Sequence, residues 1–343
     1  MITKLSIKNF RGIEKGKLDL APLTILLGGN NSGKSAILEA LFLAPNPFRS
    51  VPYVINGYTA VETLHEMHRT VISEGGYAFL LYNYTANRAE IECEIDGKDY
   101  ALLFNKKDSS ITIYTKKRWR EEEIGEIDMS MSSIYGKPMS SIYDKEQKTF
   151  IDNTLLISSK LVKSGYQYFY YKGQNSITKR ICKKVAEDVS KLIYKNYRDI
   201  TIEPSFSGGM AIYILLEDGR MIRVCDLGEG VQNYIIARIL YELENPKVLL
   251  WDDIETYLDP RMLLDVGGWI FDIIESGNQV VVTTHSLDAV RIIAGINEEK
   301  AAIYLTSLEK GALKAKKLTL KEIEEFSEAG VDVRVAEPLL LWR

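Results

Sequence analysis

The chain has 343 residues, 46% hydrophobic and 26% charged, and its 43 Lys and Arg against 47 Asp and Glu leave a formal charge of −4. This is the composition of a folded protein, not a disordered one, and the near-neutral balance excludes a histone-like polyanion binder while leaving room for a local basic patch. Apolar runs such as Lys247 to Trp251 fall far short of the ~18 residues of a membrane helix, no apolar signal segment follows Met1, and a cytoplasmic protein without membrane contact is expected.

In chain order, Ile2, Leu5 and Ile7 alternate with polar residues, and Pro22 to Leu27 forms a continuous apolar run that ends in two glycines. Both read as strands, the second fully buried. Ala36, Ile37, Ala40, Leu41 and Leu43 then follow helical spacing until Pro45 and Pro47 stop it. A helix is expected over Ala60 to Ser73. Ala89 to Ile95 alternates strictly, meets Asp96-Gly97 and continues through Tyr100 to Phe104, a hairpin with a two-residue turn. Ser110 to Thr115 adds a strand, and residues 129 to 148 read as a loop.

Ser176 to Arg198 is expected to be an amphipathic helix whose Lys179, Arg180, Lys183, Lys184, Lys191, Lys195 and Arg198 give it a basic face. A second hairpin spans Ile212 to Leu216 and Met221 to Val224, and a helix follows Gly230. Lys247 to Trp251 and Gln279 to Thr283 are buried strands, with helices over Asp259 to Glu275 and Ser286 to Ile293; strands at Ala301 to Leu305 and Ala312 to Leu318 precede a charged helix. Cys93, Cys182 and Cys225 lack the spacing of a zinc site or disulfide framework and are expected to be small buried hydrophobes.

Gly28-Gly29-Asn30-Asn31-Ser32-Gly33-Lys34-Ser35 matches the G-x-x-x-x-G-K-[ST] phosphate loop between a buried strand and a helix. Its glycines allow the backbone to wrap a phosphate, and the amides through Ala36 at the helix start present partial positive charge. Lys34 is placed to reach the β- and γ-phosphates of ATP, and the Ser35 hydroxyl to ligate Mg2+. The strand ending at Trp251 delivers Asp252, placed to hold the metal, and Asp253, the candidate for polarising the attacking water. The strand through Val282 delivers His285, within reach of a γ-phosphate. His65 and His68 read as ordinary satisfied polar residues.

These pieces, in this order, resemble the ABC-class P-loop ATPase heads of the RecF, structural-maintenance-of-chromosomes and OLD (overcoming lysogenization defect) group. The similar stretches are Leu5 to Ile13, Pro22 to Ala40, Leu250 to Pro260 as Walker B running into the D-loop, Thr284-His285, and Asp226 to Gln232 where the signature motif belongs. The resemblance implies an α/β fold with a mostly parallel core sheet plus an antiparallel sheet: a head split between 1–45 and 200–343 around an inserted α+β lobe at 46–199. It also implies a homodimer in which ATP is sandwiched between one subunit's phosphate loop and the other's signature motif, with Arg11 near the nucleotide and Gly228 and Gly230 approaching the γ-phosphate in trans.

Three departures matter. Asp253 replaces the family's glutamate and is one methylene shorter, which draws the carboxylate back by roughly 1.5 Å and points to slow turnover. Gly228 replaces the signature serine. The glutamine loop is not assignable among Gln147, Gln167 and Gln174. No acidic cluster of a nuclease module is evident before Arg343. The cations of Lys116-Lys117-Arg118-Trp119-Arg120 suit nucleic acid, but Glu121 to Glu123 favour an ordinary charged hairpin end. The expectation is a Mg2+-dependent ATPase acting in DNA maintenance or defence; the alternative is an ATP-gated switch with negligible hydrolysis that recruits DNA or an effector nuclease. A GTPase is disfavoured because no NKxD-like motif is present.

Overall fold

A computed structural model describes residues 1–44, 46–54, 57–68, 76–117, 120–129, 153–172, 176–193, 196–204, 210–336 and 340–341. The N-terminal third begins with β1 (Ile2–Phe10), β2 (Ile13–Asp19), β3 (Leu23–Leu27), α1 (Lys34–Leu43) and α2 (Ala60–His68), followed by four strands, β4 (Arg88–Ile95), β5 (Lys98–Lys107), β6 (Ser110–Lys117) and β7 (Arg120–Asp128). Next come β8 (Thr154–Ile157), α3 (Ser159–Lys172), α4 (Ser176–Ile193), β9 (Tyr197–Pro204), β10 (Met210–Leu216), β11 (Met221–Arg223) and α5 (Glu229–Glu244). The remainder is β12 (Val248–Trp251), α6 (Pro260–Glu275), β13 (Gln279–Thr284), α7 (Leu287–Ile296), β14 (Ala301–Glu309), β15 (Ala312–Leu318) and α8 (Leu320–Glu328).

Among the described residues, one 12-stranded sheet runs in the order β7-β6-β5-β4-β1-β2-β15-β14-β3-β13-β12-β8, and β11-β10-β9 form a second, three-stranded sheet. From β14 to β8 the large sheet is parallel, and every residue of β3, β12 and β13 is buried, as strands covered on both faces must be. From β7 to β2 it is antiparallel, and the Asp96-Gly97 turn of the β4–β5 hairpin has both residues at positive φ, 49° and 72°. The parallel and antiparallel parts are therefore one hydrogen-bonded surface. The 46–199 segment contributes β4 to β7 beside β1 and β8 beside β12, so its boundaries divide the chain without dividing the sheet.

Several elements differ from the sequence expectation. α4 is described over Ser176–Ile193, and Arg198 lies on β9, off the helix's basic face. Of that face, Lys184 pairs with Glu242 at 2.6 Å and Lys191 with Asp188 at 3.7 Å; Lys195 lies outside the described residues. α3, unexpected from a stretch with four tyrosines and Gly165, is held by close approach to α5: a Cβ on Gly165 would stand 2.6 Å from a methyl of Leu240. β2, β8 and β9 were also not legible as strands. Cys93 and Cys182 are buried, whereas Cys225 is exposed beside Asp226, contrary to the expected burial. Arg118, Trp119 and nearly all of the expected 129–148 loop lie outside the described residues. Among those described, no helix is long and apolar enough to cross a membrane.

Gln279 joins the start of the chain to the core. Its side chain is fully buried; Oε1 accepts from the Ile2 amide at 2.9 Å, and Nε2 donates to the carbonyls of Ile2 at 2.8 Å and Ala21 at 2.9 Å. Three backbone groups at Ile2 and Ala21 are thus bonded by one amide. Replacing Gln279 with Leu should lower the unfolding free energy by about 3 kcal/mol in urea denaturation, since buried orphan groups cost about 1–3 kcal/mol each; a loss under about 0.5 kcal/mol would show that the amide holds nothing.

Candidate functional site

The C-terminal ends of β3, β13 and β12 lie side by side. Thr284 pairs with Leu27, and Val282 stands opposite both Ile25 and Trp251, so the segments that follow converge on one edge of the sheet, where ligands of open α/β sheets gather. After β3 comes the glycine-rich loop. Asn31 and Gly33 adopt φ of 60° and 90°, and a Cβ on Gly28 would lie 2.6 Å from both Ser32 Oγ and the Thr306 carbonyl. Ser32 Oγ sits 3.1 Å from Thr306 Oγ1, which donates to the Leu27 carbonyl. The concave loop is thus tied to β14 from behind.

Lys34, at the start of α1, folds back over this loop. Its Nζ donates to the carbonyls of Gly28 at 3.0 Å and Gly29 at 2.9 Å, and it lies 3.2 Å from His285 Nε2. Burial pushes the ammonium below its usual pKa, opposed by Asp253, Asp252 and Glu255. Ser35 Oγ donates towards both oxygens of Asp252 at 3.2 Å.

Asp252 and Asp253 share one anchor. The Thr283 hydroxyl donates to Asp252 Oδ1 at 2.7 Å and accepts from the Asp253 amide at 2.7 Å. Burial raises the Asp252 carboxyl above its usual pKa while the Thr283 and Ser35 hydroxyls pull the other way. A hydroxyl and a half-desolvated carboxylate side by side are a hard-oxygen pair, which suits a Mg2+ ion that keeps several water and phosphate ligands. Asp253 itself is at φ 48°, with Oδ1 3.5 Å from His285 Nε2.

Other sequence-marked residues lie around this edge. Arg11, also at positive φ, is paired with the buried Glu39 of α1 and touches His68 Nε2, and its guanidinium lies 5.6 Å from the Phe79 ring. Burial lowers its pKa to about 10 and, with Arg11 alongside, holds the His68 imidazole neutral at about 3. Gly228 caps α5 with open space where a Cβ would stand, while a Cβ on Gly230 would meet the Tyr257 carbonyl at 2.2 Å. Asn30 lies on the exposed side of the loop, and Ala36 is in the first turn of α1. Gln167 lies within α3, and Gln147 and Gln174 lie outside the described residues.

Sequence reasoning missed Thr283, Glu255 and Arg334. Thr283 was visible only as a polar residue closing a valine run. Glu255 was one more acid after Walker B, and Arg334 carries no motif at all.

Residues 1–175 match the family model described as the AAA ATPase domain. The Old nuclease of Escherichia phage P2 is 25% identical to this chain over 95% of it and 62% of its own length, so the chain spans under two thirds of that relative. The ATP/GTP phosphatase of Helicobacter pylori is 24% identical over 90% of this chain and 91% of its own. Among solved structures, an SMC head bound to the C-winged helix domain of ScpA aligns with a TM-score of 0.55 at 17% identity, covering 94% of this chain and 99% of that one. An Smc head with an extended coiled coil, bound to the C-terminal domain of ScpA derived from Pyrococcus furiosus, gives 0.53 at 14% identity over 96% and 98%. These structural likenesses establish the ABC-ATPase head fold.

The contact between Gly230 and Tyr257 is a test of how α5 is seated on the turn before α6. Gly230→Ala should lower stability by about 2 kcal/mol, the scale of overpacking against an unyielding group, whereas Gly228→Ala, an N-cap at φ −59° with open space, should cost less than about 1 kcal/mol, the difference between glycine and alanine as caps. Thermal unfolding of the two variants decides; equal shifts would mean the contact is absent in solution.

Proposed function

This chain belongs to the AAA ATPase domain family, as an ABC-class P-loop ATPase of the RecF, SMC and OLD group, and from that premise we propose that it binds ATP with Mg2+, dimerises head to head on it and releases on hydrolysis. What supports this most is the convergence of Lys34, Ser35, Asp252, Asp253 and His285 on one sheet edge, with one threonine hydroxyl anchoring both acids.

In this reading Gly28, Asn30, Asn31, Ser32, Gly33 and Ala36 wrap the phosphates, and Lys34 exchanges its two carbonyl partners for phosphate oxygens. Ser35 and Asp252 would hold the metal, which when bound supplies Lewis-acid polarisation of the phosphoryl oxygens. Asp253 accepts a proton from the attacking water, and His285 donates a hydrogen bond to the γ-phosphate. Gly228 and Gly230 meet the partner's nucleotide in a homodimer. Arg11 acts on the loop through Glu39. The split head at 1–45 and 200–343 with its insertion at 46–199 is part of this proposal, as is action on DNA or through a separate effector protein, the phage P2 relative being named a nuclease.

The short carboxylate of Asp253, already within 3.5 Å of His285, favours a second reading in which hydrolysis is slow and ATP acts chiefly as a dimer switch. Steady-state phosphate release and light scattering in ATP and Mg2+, with and without duplex DNA, test both. Asp253→Asn should cut turnover on the order of 10²- to 10⁴-fold, the span of general-base catalysis, and accumulate an ATP-bound dimer. Asp253→Glu should raise turnover at unchanged ATP affinity if the shortened acid is a brake. A strictly monomeric Asp253→Asn variant contradicts the sandwich, and an unchanged rate contradicts the base.

A further inference from the structure

His285 leaves the sheet directly after β13, and both hydrogen-bonding groups of its main chain are taken by charged side chains from elsewhere in the chain. Its amide donates to Glu255 Oε1 at 2.6 Å, and its carbonyl accepts from Arg334 Nη1. We infer that Glu255 and Arg334 are a clamp on the His285 peptide and act as positioning residues for its ring, joining the segment after α8 to the nucleotide site. The inference deepens the proposed function and rests on its reading of His285.

Each jaw is itself fixed. The Glu255 carbonyl accepts from the Leu258 amide at 3.0 Å, and the preceding Ile254 amide donates to Thr283 at 3.0 Å, so the D-loop turn is nailed to β13. The Arg334 guanidinium is held by Asp332, whose Oδ1 accepts from Arg334 Nε at 2.9 Å and from the Arg334 amide at 2.9 Å. Charge-assisted bonds of this kind are shorter and stronger than neutral ones. Two of them on one residue exceed what a loop needs to leave a strand, since Ser286 already caps α7 by accepting from the Ala289 amide.

Glu255 Oε2 sharpens the point. It is buried and has no hydrogen-bond partner among the described residues, although the other oxygen is used. A half-satisfied buried carboxylate lowers stability, so it marks a group kept for something else. Arg334 and Lys34 both lie within its electrostatic reach. The ring that the clamp positions lies 3.2 Å from Lys34 Nζ and 3.5 Å from Asp253 Oδ1, where displacement by about 1 Å can cost on the order of 10²-fold in rate.

The test uses hydrogen exchange and kinetics on the full chain. In Glu255→Ala and Arg334→Ala, exchange of the amides at 284–287 should rise over wild type in nucleotide-free protein; no change overturns the clamp whether or not ATP is hydrolysed. With ATP and Mg2+, each variant should lose about tenfold or more in kcat with KM nearly unchanged, and Arg334→Lys should recover part of it. Combining Arg334→Ala with His285→Ala should be no slower than His285→Ala alone. Multiplicative losses in the double variant, or an unchanged kcat in both single variants, overturn the positioning role. If His285→Ala itself leaves kcat unchanged, the assigned role of His285 fails, and the positioning role falls with it.

Discussion

The site depends on the in-register parallel pairing of β3, β13 and β12, and that register is not written in the apolar pattern. Strands buried on both faces have no inside and outside to tell apart, so a slip by one residue would cost them little through hydrophobicity alone. Polar groups at the two ends of β13 make the difference. At one end the Gln279 amide accepts and donates along Ile2 and Ala21; at the other, Thr283 joins Asp252 and Asp253. A slip would leave all of these buried groups unpaired at once.

Once the three strand ends are level, the rest of the site follows from short connections. The glycine loop, the acid pair and the histidine each emerge within two residues of a strand end, and Lys34 bridges the first to the last. The turn at 254–258 then runs under Gly230 into α6, whose Asp259 cap accepts from the Arg261 and Met262 amides. α5 in turn is fastened to the helices of the middle segment. Arg238 is buried, bonded to Asp188 of α4 and stacked 4.7 Å from the Trp269 ring of α6, while Tyr168 of α3 donates to Glu244 at 2.8 Å. α5 is therefore bonded to both α3 and α4.

The motifs were legible because each needs particular residue types at a strand end: glycines for the loop, carboxylates after Trp251, a histidine after Thr284. The hairpin at Asp96-Gly97 was legible for the same local reason. What escaped is non-local. β8 is only four residues long, and nothing in Thr154 to Ile157 says that it borders β12. α3 packs closely on α5 because Gly165 admits Leu240 and Ile236, a tertiary contact invisible in tyrosine-rich sequence. The helix expected to reach Arg198 ran past α4 because nothing in the local spacing shows that Tyr197 starts a strand paired with Leu216. Arg11 shows the limit of motif transfer: the position was marked, but Glu39 and His68 as its partners were not.

A single buried hydroxyl holds both carboxylates at the edge where the proposed Mg2+ would sit, and Thr283→Val measures its effect with almost no change of shape. The variant deletes the donor to Asp252 and the acceptor for the Asp253 amide while leaving the β13 packing in place. Titrating ATP binding against Mg2+ concentration in folded protein should show the Mg2+ requirement shifted upward about 10- to 100-fold, the cost of losing a partner that orients a metal-binding group. An unchanged Mg2+ dependence, with the variant folded, would contradict the account.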